Sequence, residues 1–403
     1  MRIHVCIPAL DELESLPLTL QCLQAQTRSF ELYICVNQPE SWHGQAGKAG
    51  ICRRNADTLE FLHDLSWPGL RVIDRSSKGK GWPRGKGGVG HARKALMDAV
   101  LAEAEDEDLI VSLDADTTFR PAYLDAITRS LQQAPFAAAL SVPYYHLLTG
   151  DESCDRAILR YEIYMRNYAW NLYRIRNPYA FTALGSAMAV RVKACRAIGG
   201  IAPRQSGEDF YFLQKLRKYA PLINHCSERV YPAARFSNRV GFGTGPAMIK
   251  GAAGDWTSYP LYHYSLFDLV KQTWDTFGPL MHGPEFTPMQ LFLKEIFDEE
   301  DPFAPLRANF KTPATFIRAC WQKVDALRIL QFLKGAQKHM HGTDEDHLRE
   351  TFNHTEFNTG GLSLPAGFSF AESSTNLLNQ VRDTLAGEEY KMMLQYQQQG
   401  YDQ

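Results

Sequence analysis

Three stretches of this chain carry residue types that could do chemistry together. In the first, an apolar run from Leu109 to Leu113 ends in Asp114-Ala115-Asp116, two carboxylates one residue apart. An apolar run of that length bounded by polar residues reads as a buried parallel strand. Carboxylates just past the C-terminal end of such a strand lie where open α/β sheets bind ligands. Two carboxylates so spaced can share one hard divalent cation, and Mg²⁺ or Mn²⁺ accepts such ligands while also holding phosphates. An acidic turn without metal is the competing reading. The second stretch, Ser76 to Gly90, holds six glycines and four basic residues and opens into a helical pattern at Ala92, Leu96 and Val100. Glycines admit an anion to the backbone, a helix N-terminus offers free N–H groups, and Lys86 brings charge. The spacing is neither that of a Walker A loop nor of a dinucleotide fingerprint, and a solvated loop is the alternative. The third stretch, Gly207-Glu208-Asp209, opens a helix. Capping would explain one of its carboxylates, leaving the other to act as a base. A fourth segment, Arg235 to Gly245, combines Arg235 and Arg239 with glycines and suits an anionic ligand.

The elements that must position these residues alternate. Ile3 to Ala9 reads as a strand with Pro8 at its end, where no ladder donor is needed. Leu16 to Gln26 reads as a helix, Leu32 to Val36 as a strand, residues up to Leu65 as loop and helix, and Arg71 to Asp74 as a third strand. This β-α-β order predicts a parallel α/β sheet. Further strands are predicted at Phe136–Val142, Ala183–Val190 and Val230–Pro232, with helices from Pro121, Val192 and Glu208. From Tyr264 the β signal stops, helical periodicity covers 265–340 and 375–398, and 341–374 reads as polar loop.

Composition bounds the class. The 403 residues suffice for two or three domains, and a net charge of −2 gives no global pull toward nucleic acid, so any basic site must be local. The eight cysteines form no C-x-x-C pair, which suggests reduced core thiols instead of a zinc site. Asp11, Glu12 and Glu14 follow the first strand too closely for a signal peptide, and no apolar run reaches the roughly 18 residues of a membrane span. A cytoplasmic protein is expected, with peripheral contact at the inner face of a membrane as a variant. The segment 156–176 interleaves Tyr and Trp with Arg. It can pack beneath a site, lie on a membrane surface or stack on bases, and packing is the favoured reading.

Taken in order, these motifs resemble the family 2 glycosyltransferases of the GT-A fold, of the non-processive kind, over residues 2 to about 245. The residues that carry the resemblance are Ile7-Pro8-Ala9-Leu10-Asp11-Glu12, Gln24 to Thr27, Gly85 to Arg93, Asp114-Ala115-Asp116, Gly185-Ser186, Gly199-Gly200 and Gly207-Glu208-Asp209. The resemblance implies a mixed sheet flanked by helices over 1–262, a nucleotide-sugar half (1–120), an acceptor half (121–262), and a mainly helical region over 263–403. It implies a nucleotide-diphosphate sugar donor lined by Pro8, Ala9, Asp11, Glu12 and Ala115, with Lys86 and Arg93 near the diphosphate. Asp114 and Asp116 would hold Mg²⁺ or Mn²⁺, Asp116 the firmer ligand. Asp209 would be the general base with Glu208 beside it, giving inversion at the sugar. Gly185, Ser186, Arg235 and Arg239 would serve the acceptor or phosphate side. The acceptor, whether lipid-linked, saccharide or small molecule, is not specified.

The sequence also departs from the family pattern. Asn37 stands where an aspartate usually meets the base and is kept as a nucleotide-binding candidate that could accept from a ring N–H, and no Q-x-x-R-W follows Gln214, which points to single transfers. His225 is a candidate third metal ligand against a structural reading. Two other classes compete. A nucleotidyltransferase also pairs a Gly/Lys loop with a metal carboxylate pair, but places the loop directly after strand one. A non-catalytic carbohydrate-binding relative would need a broken site, yet Asp114, Asp116 and Asp209 are all present.

Overall fold

The computed structural model describes residues 1–204, 207–238 and 243–398. The chain forms two compact units, one of residues 1–158 with 181–255 and one of residues 159–180 with 256–403.

The first unit is a mixed sheet flanked by helices, as expected. Its strands are β1 (Ile3–Ala9), β2 (Glu31–Asn37), β3 (Leu70–Arg75), β4 (Leu109–Ser112), β5 (Thr117–Phe119), β6 (Ala139–Ser141), β7 (Met188–Arg191), β8 (Leu222–Ile223) and β9 (Val230–Pro232). Seven of them form one sheet in the order β3-β2-β1-β4-β7-β6-β8, and β5 and β9 form a separate ribbon. β1 runs parallel to β2 and β4, while β7 is antiparallel to β4 and β6. β1 is buried along its whole length and shows no alternation, as a central strand covered on both faces must. Each Ile or Val buried there contributes about 1.5–3 kcal/mol. β3 is an edge strand, and Arg71 and Arg75 stay exposed on it. The registers Ala9↔Val36 and Cys6↔Ser112 bring the C-terminal ends of β1, β2 and β4 to one edge.

The helices of this unit are α1 (Leu16–Gln24), α2 (Ala49–Asp64), α3 (Val89–Leu101), α4 (Tyr123–Gln133), the start of α5 (Glu152–Arg174), α6 (Val192–Ala197), α7 (Glu208–Tyr219) and α8 (Thr244–Ala252). α3 packs on β1 and β2 through Ala92, Leu96, Met97 and Val100. Arg93 lies on that same buried face. A charge there must be paired, and its partners define the site described below.

The second unit holds the rest of α5 with α9 (Tyr264–Asp275), α10 (Pro288–Phe297), α11 (Ala304–Asn309), α12 (Pro313–Lys323), α13 (Ala326–Gln337), α14 (Asp344–Phe352) and α15 (Thr375–Gln398). The segment 156–176 is packed, and its buried rings are not available to a membrane or to bases. Trp170 is fully buried with its ring edge-on to Phe357 at 5.1 Å. Buried Arg160 pairs with Asp344 and lies between the rings of Trp256 and Phe370, at 5.0 and 4.6 Å. Arg166 pairs with Glu162 and with Glu389, the latter at 2.7 Å. No helix among the described residues is long and apolar enough to cross a membrane.

Two sequence expectations change. The small residues of 183–187 are not strand: β7 starts at Met188, and Ala187 N–H donates to Leu184 O in a turn. Within this turn Gly185 passes so close to Arg93 that a Cβ there would clash with its guanidinium. The stretch 341–374 is not all loop, since α14 forms behind a capping box of Thr343 and Asp346 with three acids in its first turn.

Candidate active site

The site begins at the sheet edge where β1, β2 and β4 end. Asp114 and Asp116 follow β4, and Glu208 and Asp209 open α7. Arg93 joins the two. Its guanidinium forms ion pairs with Glu208 and Asp114 and donates to Ser112 Oγ at 3.2 Å, while Ser112 donates to Gly185 O at 2.7 Å. Arg93 is 3% exposed and Glu208 4%, whereas the Asp114 side chain keeps 38% of its surface. Burial works against the charge on Arg93, but Asp114 and Glu208 outweigh it and raise its pKa, so it stays a cation. A Cβ on Gly185 would lie 2.1 Å from Arg93 Nη2, which explains the glycine.

Asp209 lies beside this cluster and accepts from Phe210 N–H at 2.8 Å. Burial, then the negative charge of Glu208, pushes its carboxyl up to about 7, against the pull of Arg93. A carboxylate with that proton affinity suits base catalysis near neutral pH.

Arg235 forms a second cluster. It donates to both Glu12 oxygens at 2.8 and 2.9 Å, to Ser15 Oγ at 3.1 Å, and pairs with Asp116. Asp116 and Glu12 are thus drawn together by one guanidinium. Arg239 lies outside the described residues.

At the end of β1, Pro8 and Ala9 are buried, and Asp11 adopts a left-handed backbone (φ 60°). Its N–H donates to Asn55 Oδ1 at 2.8 Å and its carboxylate is clamped by Arg54. Asn37 is 2% exposed; its amide donates to Ala9 O at 3.0 Å and accepts from Trp82 Nε1 at 3.1 Å. Each end of the buried Asn37 amide therefore already has a partner inside the protein. Ala115 is buried, and its carbonyl accepts from Thr19 Oγ1 at 2.9 Å. Ser186 is buried beside Gly185.

The glycine-rich stretch is two structures. Its first half is closed by the protein's own carboxylates. Asp74 accepts from Ser76 and Ser77 N–H at 3.0 and 2.9 Å and pairs with Lys80, while Glu40 accepts from Gly79 and Gly81 N–H at 2.8 and 2.9 Å. Burial would raise the Asp74 carboxyl, but these donors outweigh it and hold it well below the usual range. Only the second half, around Lys86, Gly87 and Gly88, is left facing the N-terminus of α3. Gly88 caps that helix without a side-chain bond, and Lys86 is exposed with no acidic partner within 4 Å among the described residues.

No three His, Cys, Asp or Glu side chains converge as a metal cage among the described residues, so His225 joins no such cluster. The donor set at Asp114 and Asp116 still fits a divalent cation of the kind held by one or two carboxylates and completed by substrate phosphates and water. It does not fit an all-protein cage.

Ser15, Arg54, Asn55 and Ser112 also belong to this region without a signal of their own in the sequence, and Trp82, within an insertion to which the family resemblance assigns no role, donates to Asn37. The one legible signal was Arg93 itself, a charge placed three residues before Leu96 on an apolar helix face.

No protein-family model matches the chain, and no curated protein sequence does. Among solved structures the chain is similar to S. aureus TarS 1–349 in complex with UDP-GlcNAc, at 12% identity and a TM-score of 0.40, covering 99% of this chain and 92% of that one. It is also similar to the mannosyltransferase PcManGT from Pyrobaculum calidifontis in complex with GDP-Man and Mn²⁺, at 14% identity and a TM-score of 0.37, covering 96% and 87%. At these values the likenesses carry no argument about the site.

Proposed function

We propose that the first unit is a glycosyltransferase that moves one sugar from a nucleotide-diphosphate donor to an acceptor hydroxyl, with inversion. The observation that carries this reading is the pair of clusters at one sheet edge, Asp114–Arg93–Glu208 with Asp209, and Glu12–Arg235–Asp116. They supply a base with a raised proton affinity beside carboxylates suited to a diphosphate-bound cation.

In this reading Asp209 takes the proton from the acceptor hydroxyl as that oxygen attacks C1 of the sugar. Asp116, with Asp114, would hold Mg²⁺ or Mn²⁺, and the bound cation would neutralise the leaving diphosphate. Lys86 and the free N–H groups of α3 offer further positive potential to the diphosphate. Arg93, enclosed by Ser112, Asp114 and Glu208, fixes the spacing between the leaving-group carboxylates and the base and does not itself meet the diphosphate. Asn37, buried and bonded to Ala9 and Trp82, supports the wall at the nucleotide end. Pro8, Ala9 and Asp11 shape the nucleotide end.

Calorimetric titration with a panel of nucleoside diphosphates and Mn²⁺ tests the donor half, and the absence of metal-dependent binding would sink it. Asp209→Asn is expected to keep donor binding and lose about 10²–10⁴-fold in kcat; full turnover in that variant would remove Asp209 from the mechanism.

A further inference from the structure

The β5–β9 ribbon carries charged residues at both ends. At one end Asp116, just before β5, meets Arg235, just after β9. At the other, a cavity of about 400 Å³ opens between Arg120, just after β5, and Arg229, just before β9. Tyr145, Leu147, Ser227, Glu228 and Tyr231 also line it. The register Thr117↔Pro232, Thr118↔Tyr231 and Phe119↔Val230 fixes both ends relative to each other. Four residue-to-residue steps of extended chain lead from Asp116 to Arg120, roughly 13 Å at the rise of a strand.

The lining is chemically biased. Arg120 and Arg229 are exposed, and neither has an acidic partner within 4 Å among the described residues, although Glu228 shares the cavity wall. Elsewhere in this unit arginines at functional positions are paired, as Arg54, Arg93 and Arg235 are. Two guanidinium groups without an acidic partner give this cavity a positive potential that attracts an anion. Arg229 is held over the Tyr145 ring at 6.0 Å, and the Tyr145 N–H donates to Val230 O at 3.0 Å, so the ring is anchored to β9. Planar arginine forks recognise phosphate and carboxylate bidentately. Tyrosine faces and a serine hydroxyl suit the C–H face and the hydroxyls of a sugar. The volume falls in the range of small-molecule sites.

We infer that this cavity is a subsite for an anionic group, phosphate or carboxylate, on a saccharide acceptor, held by Arg120 and Arg229 about 13 Å along the ribbon from the transfer centre. The acceptor assignment rests on the transferase reading; the anion site does not. An acceptor bearing its charge at that distance would be gripped away from Asp209 and so positioned without adding negative charge beside the diphosphate.

The test is calorimetric titration of the full chain with glucose 6-phosphate, glucuronate, inorganic phosphate and glucose, on the wild type and on Arg120→Ser/Arg229→Ser. Nucleoside diphosphate with Mn²⁺ is titrated in parallel. The inference expects both charged sugars to bind the wild type more tightly than glucose and inorganic phosphate do. It expects at least a tenfold loss in the double variant, with nucleotide binding unchanged. Equal binding of the charged sugars to both proteins, or no binding of either to the wild type up to about 10 mM, overturns it. Inorganic phosphate binding as tightly as the sugar phosphate overturns the saccharide part. If charged sugars bind as expected but no nucleotide binds the wild type, the transferase reading fails while the anion site stands.

Discussion

Arg93→Met is the most informative single change. It removes the cation that Glu208 and Asp114 share and leaves a side chain of similar length on the buried face of α3. The two partners do not suffer equally. Asp114 is 38% exposed and can be solvated, so little of the cost falls on it. Glu208, 4% exposed, is left as an unpaired buried carboxylate. Breaking a buried pair from one side costs about 3–5 kcal/mol. In a domain of this size each kcal/mol moves Tm by about 2–4 °C, so thermal unfolding should shift down by roughly 6–20 °C. Adding Glu208→Gln should recover part of that loss, because the stranded charge is gone, and a double-mutant cycle should return a coupling of about 1–3 kcal/mol. The pH profile supplies a second readout. Arg93 pulls the Asp209 proton affinity down, so its loss should move the base limb of the pH–rate curve to higher pH. Arg93→Lys keeps charge but not the fork, and should restore the limb more than the stability. A shift in Tm below about 2 °C together with strictly additive mutations would refute the hub role.

Three further outcomes are expected. Gly185→Ala puts a methyl 2.1 Å from Arg93 Nη2, and should cost about 1–3 kcal/mol of stability along with transfer activity, read by denaturant titration and turnover. The Asp209 carboxyl, raised by burial to about 7, binds its proton more tightly folded than unfolded. Its contribution to stability is therefore full below the ordinary carboxylate range, declines as pH rises toward 7 and levels off above. The rate should rise through that same upper region, and Asp209→Asn should flatten the stability slope. Arg235→Gln frees Asp116 and Glu12 of their guanidinium. Mn²⁺ binding followed by paramagnetic resonance should then tighten, by about tenfold if roughly 1.4 kcal/mol of competition is relieved; unchanged affinity would mean that Arg235 does not compete for Asp116.

The sequence by itself located seven of the nine strands and most helices of the first unit, because apolar runs and 3.6-residue periodicity are local signals; the short β5 and β8 carry no such signal. The apolar run ending at Asp114, the helix opening at Glu208 and the Val230–Pro232 strand are all found where they read. The small residues at 183–187 read as strand but form a turn, and at Gly185 the reason is tertiary: it clears the guanidinium of Arg93, which is distant in sequence. Local chemistry likewise nominated Asp114, Asp116, Glu208 and Asp209 but could not distribute their counter-charges. Only the folded chain showed that Arg93 pairs with Glu208 and Asp114, and that Arg235 joins Glu12 to Asp116. It also decided that Asp74 and Glu40 fill half of the glycine loop. Which ion meets which is set by long-range packing and desolvation, and a buried charge takes whatever partner the fold brings within reach.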